Sequence, residues 1–316
     1  MQPEIAVGKQ EPWKHKGVQT VGGLIIPRRV AIETIFGCNL SCVMCPIDMP
    51  AGRKKGIMAW DLFAKIISDL FPYRKNIELL DYFCLGEPLM DKMIFERIKY
   101  AKARGFQNLS ISTNAMLLTP EKQDALLESG VDTVIFSIDG AKAETHEAIR
   151  VRAKFDTVVK NCVEMIERRN AGNYPTRFLV RFVRQDANRG EWEVFKAFWE
   201  EKINRERRDF IGCLDARSWG SVHFPVTRTE VIEKMACPQI SEILYILCDG
   251  TVPLCCNDWN KPEYNFGNAG EQSPIEIYNS TQLAAIRRIH EDGRKCAMEI
   301  CKDCTVLYAL GQREFA

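Results

Sequence analysis

The sequence predicts an α/β fold: a partial (β/α)6 barrel of TIM type with parallel strands, followed by a small C-terminal subdomain. Short apolar runs alternate with amphipathic segments from about residue 28 to 217, which implies parallel strands joined by right-handed crossovers. The units number six, fewer than the eight of a closed barrel. The subdomain is predicted because the alternation stops after about residue 230, where seven of the thirteen cysteines follow.

The barrel elements follow one another along the chain. Each predicted strand is a short apolar run, and each predicted helix has apolar residues at spacings of three and four. The third helix has the clearest ends, with Thr119 as its cap, Pro120 in its first turn and Gly130 beyond its end. The predicted strands are 28–35, 77–83, 108–113, 132–139, 177–183 and 209–217, and the predicted helices are 59–71, 92–105, 119–130, 154–170 and 191–202.

The C-terminal region has a different pattern. Residues 242–256 predict a hairpin that turns at Asp249-Gly250, and residues 273–293 predict one helix. In the barrel, ligands are expected at the carboxyl ends of the strands. The expected regions are a leader over 1–25, the barrel over 26–225 and the subdomain over 226–316.

The composition limits the possible partners. With 43 basic and 42 acidic residues, the chain gives no electrostatic reason to expect nucleic acid. The first residues lack the apolar segment of a secretory signal, and no apolar run is long enough to cross a bilayer. We therefore expect a cytoplasmic protein without a membrane partner. Disulfides are rare in that compartment, so metal ligation is the expected reason for thirteen cysteines.

Three of these cysteines, Cys38, Cys42 and Cys45, follow the first predicted strand with the spacing C-x3-C-x2-C. Thiolates are soft ligands that suit iron–sulfur clusters and zinc. Three cysteines on a cluster of four irons leave one iron open to an outside ligand. The alternatives are three buried structural thiols, or a zinc site that a distant residue completes.

This spacing resembles the signature of the radical S-adenosylmethionine (SAM) superfamily. The segments "LGEP", "STN" and "SIDG" follow the second, third and fourth strands, as family motifs do, although Leu85 replaces a glycine and Met44 an aromatic residue. The resemblance implies a 4Fe–4S cluster whose open iron binds SAM. It also implies reductive cleavage of SAM to a 5′-deoxyadenosyl radical that abstracts hydrogen from a substrate, and an electron donor such as flavodoxin or ferredoxin. The implied SAM contacts are Gly86, Glu87, Pro88, Ser112, Asn114, Ser137 and Asp139.

Four later cysteines have the spacing C-x17-C-x45-C-x2-C. With "CDGTVPLCC" and "FGNAG…SPIEIYNS", this pattern resembles the SPASM/twitch extension of radical SAM enzymes. The shorter twitch form implies one auxiliary 4Fe–4S cluster with four cysteine ligands. Cys256 or Cys296 could take the place of one of these four cysteines. A structural zinc knuckle is the alternative. The implied ligands are Cys237, Cys255, Cys301 and Cys304.

Cys248, directly before the Asp249-Gly250 turn, is the candidate catalytic residue. Its position resembles that of the hydrogen-donating cysteine in twitch-type sugar epimerases. The leading hypothesis is therefore epimerisation of a sugar carbon in an aminoglycoside-like substrate. The alternative for Cys248 is a small turn residue without a chemical role.

Three other functions remain open. The first is dehydrogenation of an aminocyclitol or sugar alcohol, with the auxiliary cluster as electron acceptor and Arg181, Arg184 and Arg217 as candidate substrate contacts. The second is peptide modification, although no peptide-docking domain is visible in the sequence. The third is a non-catalytic metal-binding or electron-transfer protein.

Overall fold

The computed structural model describes residues 18–50, 52–219, 229–260, 262–311 and 314–315. Its main sheet has eight strands in the order β7-β1-β2-β3-β4-β5-β6-β8. Neighbouring strands are parallel except for β8, which pairs antiparallel with β6. The strands are β1 (Arg29–Ile32), β2 (Leu79–Tyr82), β3 (Leu109–Thr113), β4 (Thr133–Ser137), β5 (Arg177–Arg184), β6 (Phe210–Asp215), β7 (Ile243–Ile246) and β8 (Glu314–Phe315).

This sheet confirms the predicted α/β fold with a partial barrel of parallel strands. Side chains alternate between the two faces of each strand. On β3, Leu109 and Ile111 are fully buried in the main core, while Ser110 and Ser112 alternate with them and face the barrel interior. The outward apolar rows pack under the helices, and the inward rows give the barrel a polar interior.

The helices that connect the barrel strands pack on the outer face of the sheet. On the first helix, Phe63, Ile66, Ile67 and Leu70 are buried, which is the spacing of one apolar helix face. Burying each such side chain contributes about 1.5–3 kcal/mol. The helices are α1 (Trp60–Leu70), α2 (Ile94–Ala103), α3 (Pro120–Glu128), α4 (Ala143–Ile149), α5 (Phe155–Ala171), α6 (Trp192–Glu200), α7 (Glu230–Lys234), α8 (Pro238–Ser241), α9 (Pro274–Tyr278), α10 (Thr281–Glu291), α11 (Glu299–Lys302) and α12 (Val306–Gly311).

The predicted hairpin over 242–256 has the predicted turn but not the predicted strand pairing. Instead of pairing with its second arm, its first arm pairs with β1 in the barrel. This arm is β7, all four residues of which are buried, and it pairs with β1 from Ile243↔Arg29 to Ile246↔Ile32. The turn itself is present, since the Gly250 N–H donates to the Leu247 carbonyl. Beyond the turn, Val252 pairs with residues 266–267 instead of returning along β7. Burial on both faces of β7 is typical of a parallel strand.

The single helix predicted over 273–293 is two helices, α9 and α10. The break lies at Asn279 and Ser280, where the Ser280 hydroxyl accepts the Leu283 N–H and caps α10. The Asn279 side chain bonds both backbone groups of Ile25. Ile25 belongs to a short hairpin, Gln19–Val21 with Leu24–Ile26.

That hairpin occupies part of the region expected to be a leader. The Gln19 amide donates to the Asn76 carbonyl, which precedes β2. The hairpin therefore packs at the amino ends of the strands, away from their carboxyl ends. The rest of the expected leader, and the boundary expected at 225–226, lie outside the described residues. In the part of the chain that the structure describes, no helix is long and apolar enough to cross a membrane.

Candidate functional site

The loop of Cys38, Cys42 and Cys45 leaves the carboxyl end of β1 through a short strand, Ile35–Phe36. All three thiols are half-buried. Burial raises the pKa of Cys38 to about 11 and that of Cys45 to about 12. These thiols are therefore protonated at neutral pH when no metal is bound, and metal binding must release their protons.

Two of the three sulfurs face N–H donors from other parts of the barrel. The Asn114 amide donates to Cys38 Sγ at 3.7 Å, and Arg150 Nη1 donates to Cys42 Sγ at 3.8 Å. A positive guanidinium and N–H donors stabilise thiolate charge, as around the sulfurs of iron–sulfur ligands. The residues present therefore fit a cluster held by three thiolates.

The thiols do not converge on a single point. Within the described ranges, no group of three or more histidine, cysteine or acidic side chains is close enough to hold one metal ion. A cluster of four irons does not need such convergence, because each thiolate binds a different iron.

The turn that contains Gly86 and Glu87 packs against the cysteine loop. Gly86 has φ +110°, and a Cβ there would lie 2.4 Å from the Ile35 carbonyl oxygen and 2.8 Å from that of Gly37. Only glycine permits this approach. The next residue donates its N–H to the Gly37 carbonyl at 2.8 Å, and Pro88 begins a short 3-10 helix. The predicted "LGEP" segment thus lies directly beside the loop.

The Glu87 carboxylate is fully engaged inside the protein. It accepts the Thr113 hydroxyl at 2.7 Å, the Asn114 N–H at 2.8 Å and the Leu89 N–H at 3.1 Å. Burial raises its pKa, and these bonds oppose the rise. Glu87 therefore fixes the turn to the end of β3, where the Asn114 amide reaches Cys38.

Ser112 and Ser137 lie side by side on the inward faces of β3 and β4, with their hydroxyl oxygens 3.3 Å apart. Arg181 on β5 donates to both hydroxyls, at 2.8 and 2.6 Å. From the sequence, the two serines are predicted to contact SAM, whereas Arg181 is only a candidate substrate contact. The structure thus adds a guanidinium beside two of the predicted SAM contacts.

Asp139, also a predicted SAM contact, is enclosed and paired. Its carboxylate bonds Arg150 Nη2 at 2.7 Å and accepts the Val183 N–H at 2.7 Å. Its own N–H donates to His146 Nδ1 at 3.2 Å. Burial lowers the pKa of His146 to about 3, so this ring is neutral. Asp139 therefore holds Arg150 against Cys42, a link that nothing in the local sequence indicated.

The second group of cysteines gathers in the C-terminal region. Cys301 Sγ lies 3.7 Å from His290 Nε2, the Cys237 N–H donates to His290 Nδ1 at 3.4 Å, and the Asn257 amide donates to Cys304 Sγ at 3.3 Å. Burial, and then repulsion from Cys304, raises the pKa of both Cys237 and Cys301. The structure thus brings these three thiols into one neighbourhood.

The other candidates for this second group differ in position. Cys255 is half-buried, and its pKa is raised by a hydrogen bond with Cys256, by burial and by the charges of Cys256, Cys304 and Cys237. Cys256 is buried toward the barrel interior, where Arg217 Nη2 donates to its sulfur at 3.5 Å. Cys296 is exposed, with its sulfur 3.9 Å from the Glu233 carbonyl oxygen. The assignment of the four ligands remains a prediction.

Cys248 lies just beyond the carboxyl end of β7, beside Glu33, which follows β1. Its N–H donates to Glu33 Oε2 at 3.1 Å, and Arg53 Nη1 lies 3.8 Å from its sulfur. The thiol is 7% exposed and belongs to the main core. Burial, and then the charge of Glu33, raises the pKa of Cys248 to about 12. The structure therefore holds this residue as a protonated thiol in a fixed position.

Two protein families match the chain. Residues 32–174 match the Radical SAM superfamily, and residues 237–305 match SPASM, described as an iron-sulfur cluster-binding domain. An AdoMet-dependent heme synthase from Methanosarcina barkeri is 36% identical over 124 residues, which are 39% of this chain and 34% of that protein. The matched part thus spans about a third of the length of the curated relatives.

Solved structures share the fold over most of the chain. BtrN in complex with AdoMet and 2-DOIA has a TM-score of 0.61 at 17% identity, over 88% of this chain and 93% of that one. SuiB of Streptococcus suis, bound to precursor peptide SuiA, has a TM-score of 0.60 at 15% identity, over 90% of this chain and 71% of that one. At these identities the likeness concerns the fold.

Proposed function

Because this chain carries a radical SAM domain followed by a SPASM domain, we propose that it is an enzyme that epimerises a sugar carbon, with Cys248 as the hydrogen donor. These two domains imply SAM and two 4Fe–4S clusters as cofactors. When bound, they supply a 5′-deoxyadenosyl radical that can abstract hydrogen from an unactivated carbon. The proposed ligands of the SAM-binding cluster are Cys38, Cys42 and Cys45, and the sulfurs of Cys38 and Cys42 face N–H donors.

One observation supports the donor role of Cys248 above all: the residue directly follows β7, and its N–H donates to Glu33 Oε2 at 3.1 Å, which holds it at the carboxyl ends of the strands. A hydrogen-atom donor also needs an S–H bond, and burial raises the pKa of Cys248 to about 12, so this thiol is protonated at neutral pH. By contrast, the hydrogen bond from Cys255 lowers the pKa of Cys256, with help from the charge of Arg217 and against the effect of burial.

The proposed reaction is balanced as follows. The substrate carbon loses one hydrogen atom on one face and gains one from Cys248 on the other, so its oxidation state is unchanged. The sulfur is left as a thiyl radical, which one electron and one proton restore to the thiol. A reduced flavodoxin or ferredoxin is the proposed source of electrons.

The experiment compares Cys248→Ala with Cys162→Ala, a buried thiol in α5 remote from the site. Both variants should form 5′-deoxyadenosine when SAM and dithionite are added anaerobically. Only the wild type and Cys162→Ala should yield epimer, with deuterium at the inverted carbon in heavy water. Normal epimerisation by Cys248→Ala would show that the donor is another group.

Dehydrogenation of a sugar alcohol or aminocyclitol is the second candidate. It is favoured by the fold shared with BtrN, whose structure was solved with AdoMet and 2-DOIA. In this reaction the substrate would lose a second electron, with the auxiliary cluster as acceptor, and a carbonyl would form. Heavy water separates the two candidates, because a dehydrogenated product gains no deuterium at carbon and Cys248→Ala would remain active.

Peptide modification is a third candidate, favoured by the fold shared with SuiB bound to its precursor peptide SuiA. A peptide substrate would have to reach Ser112 and Ser137 at the carboxyl ends of the strands. Assaying the anaerobic enzyme against small sugars and short peptides, with 5′-deoxyadenosine as the readout, distinguishes these classes.

A further inference from the structure

Arg181 lies in the middle of the candidate site without an acidic partner. It pairs with Ser137 across β4 and β5, and its guanidinium donates to the Ser112 and Ser137 hydroxyls. Among the residues that the structure describes, no carboxylate comes within ion-pair distance of it. Its buried Nε–H has no hydrogen-bond partner.

Five other arginines of the described residues are compensated by carboxylates. These pairs are Arg29 with Asp81, Arg53 with Glu33, Arg97 with Asp91, Arg150 with Asp139 and Arg169 with Asp209. The buried Arg287 instead donates its Nε–H to the Ile240 carbonyl and lies over the Tyr278 ring. The other two arginines that the sequence proposed as substrate contacts are also engaged. Arg184 pairs with Asp215 at 2.6 Å, and Arg217 donates to the sulfur of Cys256.

Arg181 is half-buried, and a cation partly removed from water without a counter-charge is costly. Burial, and then the positive charge of Arg150, lowers the pKa of Arg181 to about 10, although Asp139 opposes this shift. The two serine hydroxyls orient the guanidinium but cannot neutralise it. A ligand that brings a negative charge would remove this cost, since a guanidinium binds carboxylate and phosphate groups with paired hydrogen bonds.

We infer that Arg181 binds an anionic group of the substrate, a carboxylate or a phosphate. The inference rests on the proposed function, because Ser112 and Ser137 are residues predicted to contact SAM and the reacting carbon must lie near SAM. It changes the expected substrate class. A cationic aminated sugar would be repelled by Arg181, so the substrate is a sugar acid or a sugar phosphate.

The test measures binding of four sugars to the anaerobically reconstituted protein with SAM present, by isothermal titration calorimetry. The probes are D-glucuronate, D-glucose 6-phosphate, D-glucose and D-glucosamine. We expect at least one anionic sugar to bind about tenfold or more tightly than glucose, the size of effect that a charge-assisted hydrogen bond gives. The preferred probe shows whether the group is a carboxylate or a phosphate. Equal binding of all four, or tighter binding of glucosamine, would overturn the inference.

The matched control is Arg177, which faces inward on the same strand but lies at its other end, where it donates to the Thr133 hydroxyl at 2.6 Å. Arg181→Gln should lose the preference for the anion, and Arg177→Gln should retain it. Equal loss in both variants would indicate a general charge effect and overturn the inference. Loss of SAM affinity in Arg181→Gln with the anion preference intact would assign Arg181 to the cosubstrate.

A second variant covers the case in which Arg181→Gln does not fold. Arg181→Lys retains the charge but not the forked donor geometry, so the preference should fall several-fold, and an unchanged preference would overturn the inference. The proposed function is tested separately by 5′-deoxyadenosine formation in the wild type. An anion preference without 5′-deoxyadenosine rejects that function alone, whereas 5′-deoxyadenosine without an anion preference rejects this inference alone.

Discussion

The ion pair of Arg53 and Glu33 connects the cysteine loop to the position of Cys248. Arg53 makes two bonds of 2.6 Å to the Glu33 carboxylate, and its Nε–H donates to the Trp259 carbonyl. Its guanidinium also lies 3.8 Å from the centre of the Phe36 ring. The Glu33 side chain is fully buried, so it depends on Arg53 for compensation of its charge.

Replacing Arg53 by Met keeps much of the apolar volume but leaves Glu33 buried without a partner. Removing one member of a buried ion pair costs about 3–5 kcal/mol, and we expect the free energy of unfolding to fall by that amount. The double variant Arg53→Met with Glu33→Gln should recover part of the loss, because no charge remains buried. The exposed pair of Lys234 and Glu230 is the control, since Lys234→Met should cost about 1 kcal/mol or less.

Urea denaturation, followed by circular dichroism under anaerobic conditions, measures these differences. Burial raises the pKa of Glu33 even with Arg53 present, and loss of Arg53 should raise it further. The folded-state pKa then lies above the unfolded-state value, so the penalty is full above the folded-state pKa and shrinks as the pH falls through it toward the unfolded-state pKa. A cost below about 1 kcal/mol that is independent of pH would refute this reasoning.

Two further predictions concern the turn and the second cysteine group. Gly86→Ala should destabilise the protein by at least about 2 kcal/mol, because the new Cβ meets two backbone oxygens at a positive φ. The control is Gly190→Ala, whose Cβ meets nothing within 4 Å. Thermal unfolding measures both variants, and equal effects would contradict the prediction. Cys301→Ser should remove the auxiliary cluster and lower the iron content of the reconstituted protein from about eight to about four atoms per chain. Cys296→Ser should leave the iron content unchanged. The opposite result would make Cys296 the ligand.

Local patterns in the sequence predicted the barrel well. The six predicted strands lie within three residues of β1 to β6 at each end, because apolar alternation and capping residues are local signals. The motifs at the carboxyl ends of the strands were predicted for the same reason, since parallel strands end at one edge of a sheet. Gly86 illustrates this, as its position beside the Cys38 loop follows from the ends of β1 and β2.

Contacts between distant parts of the chain were not predictable. Glu33 contacts the backbone of Cys248, which lies 215 residues away, and Arg150 reaches Cys42 across 108 residues. No spacing rule relates such positions. The place of β7 was missed because Asp249-Gly250 is a strong hairpin signal, while the strand that pairs with β7 is the first of the barrel. Likewise, the sequence could not show that Arg181 has no carboxylate nearby, because its neighbours come from separate strands.

The register between β7 and β1 has a consequence for protein engineering. A segment of the SPASM match supplies backbone hydrogen bonds along the whole length of the strand that precedes the Cys38 loop. Deleting that segment would leave β1 as an open edge, ready to pair with another chain. A chimera that exchanges auxiliary regions between relatives should therefore keep Ile243–Ile246 from the parent of the barrel and join the new sequence after the turn at Gly250.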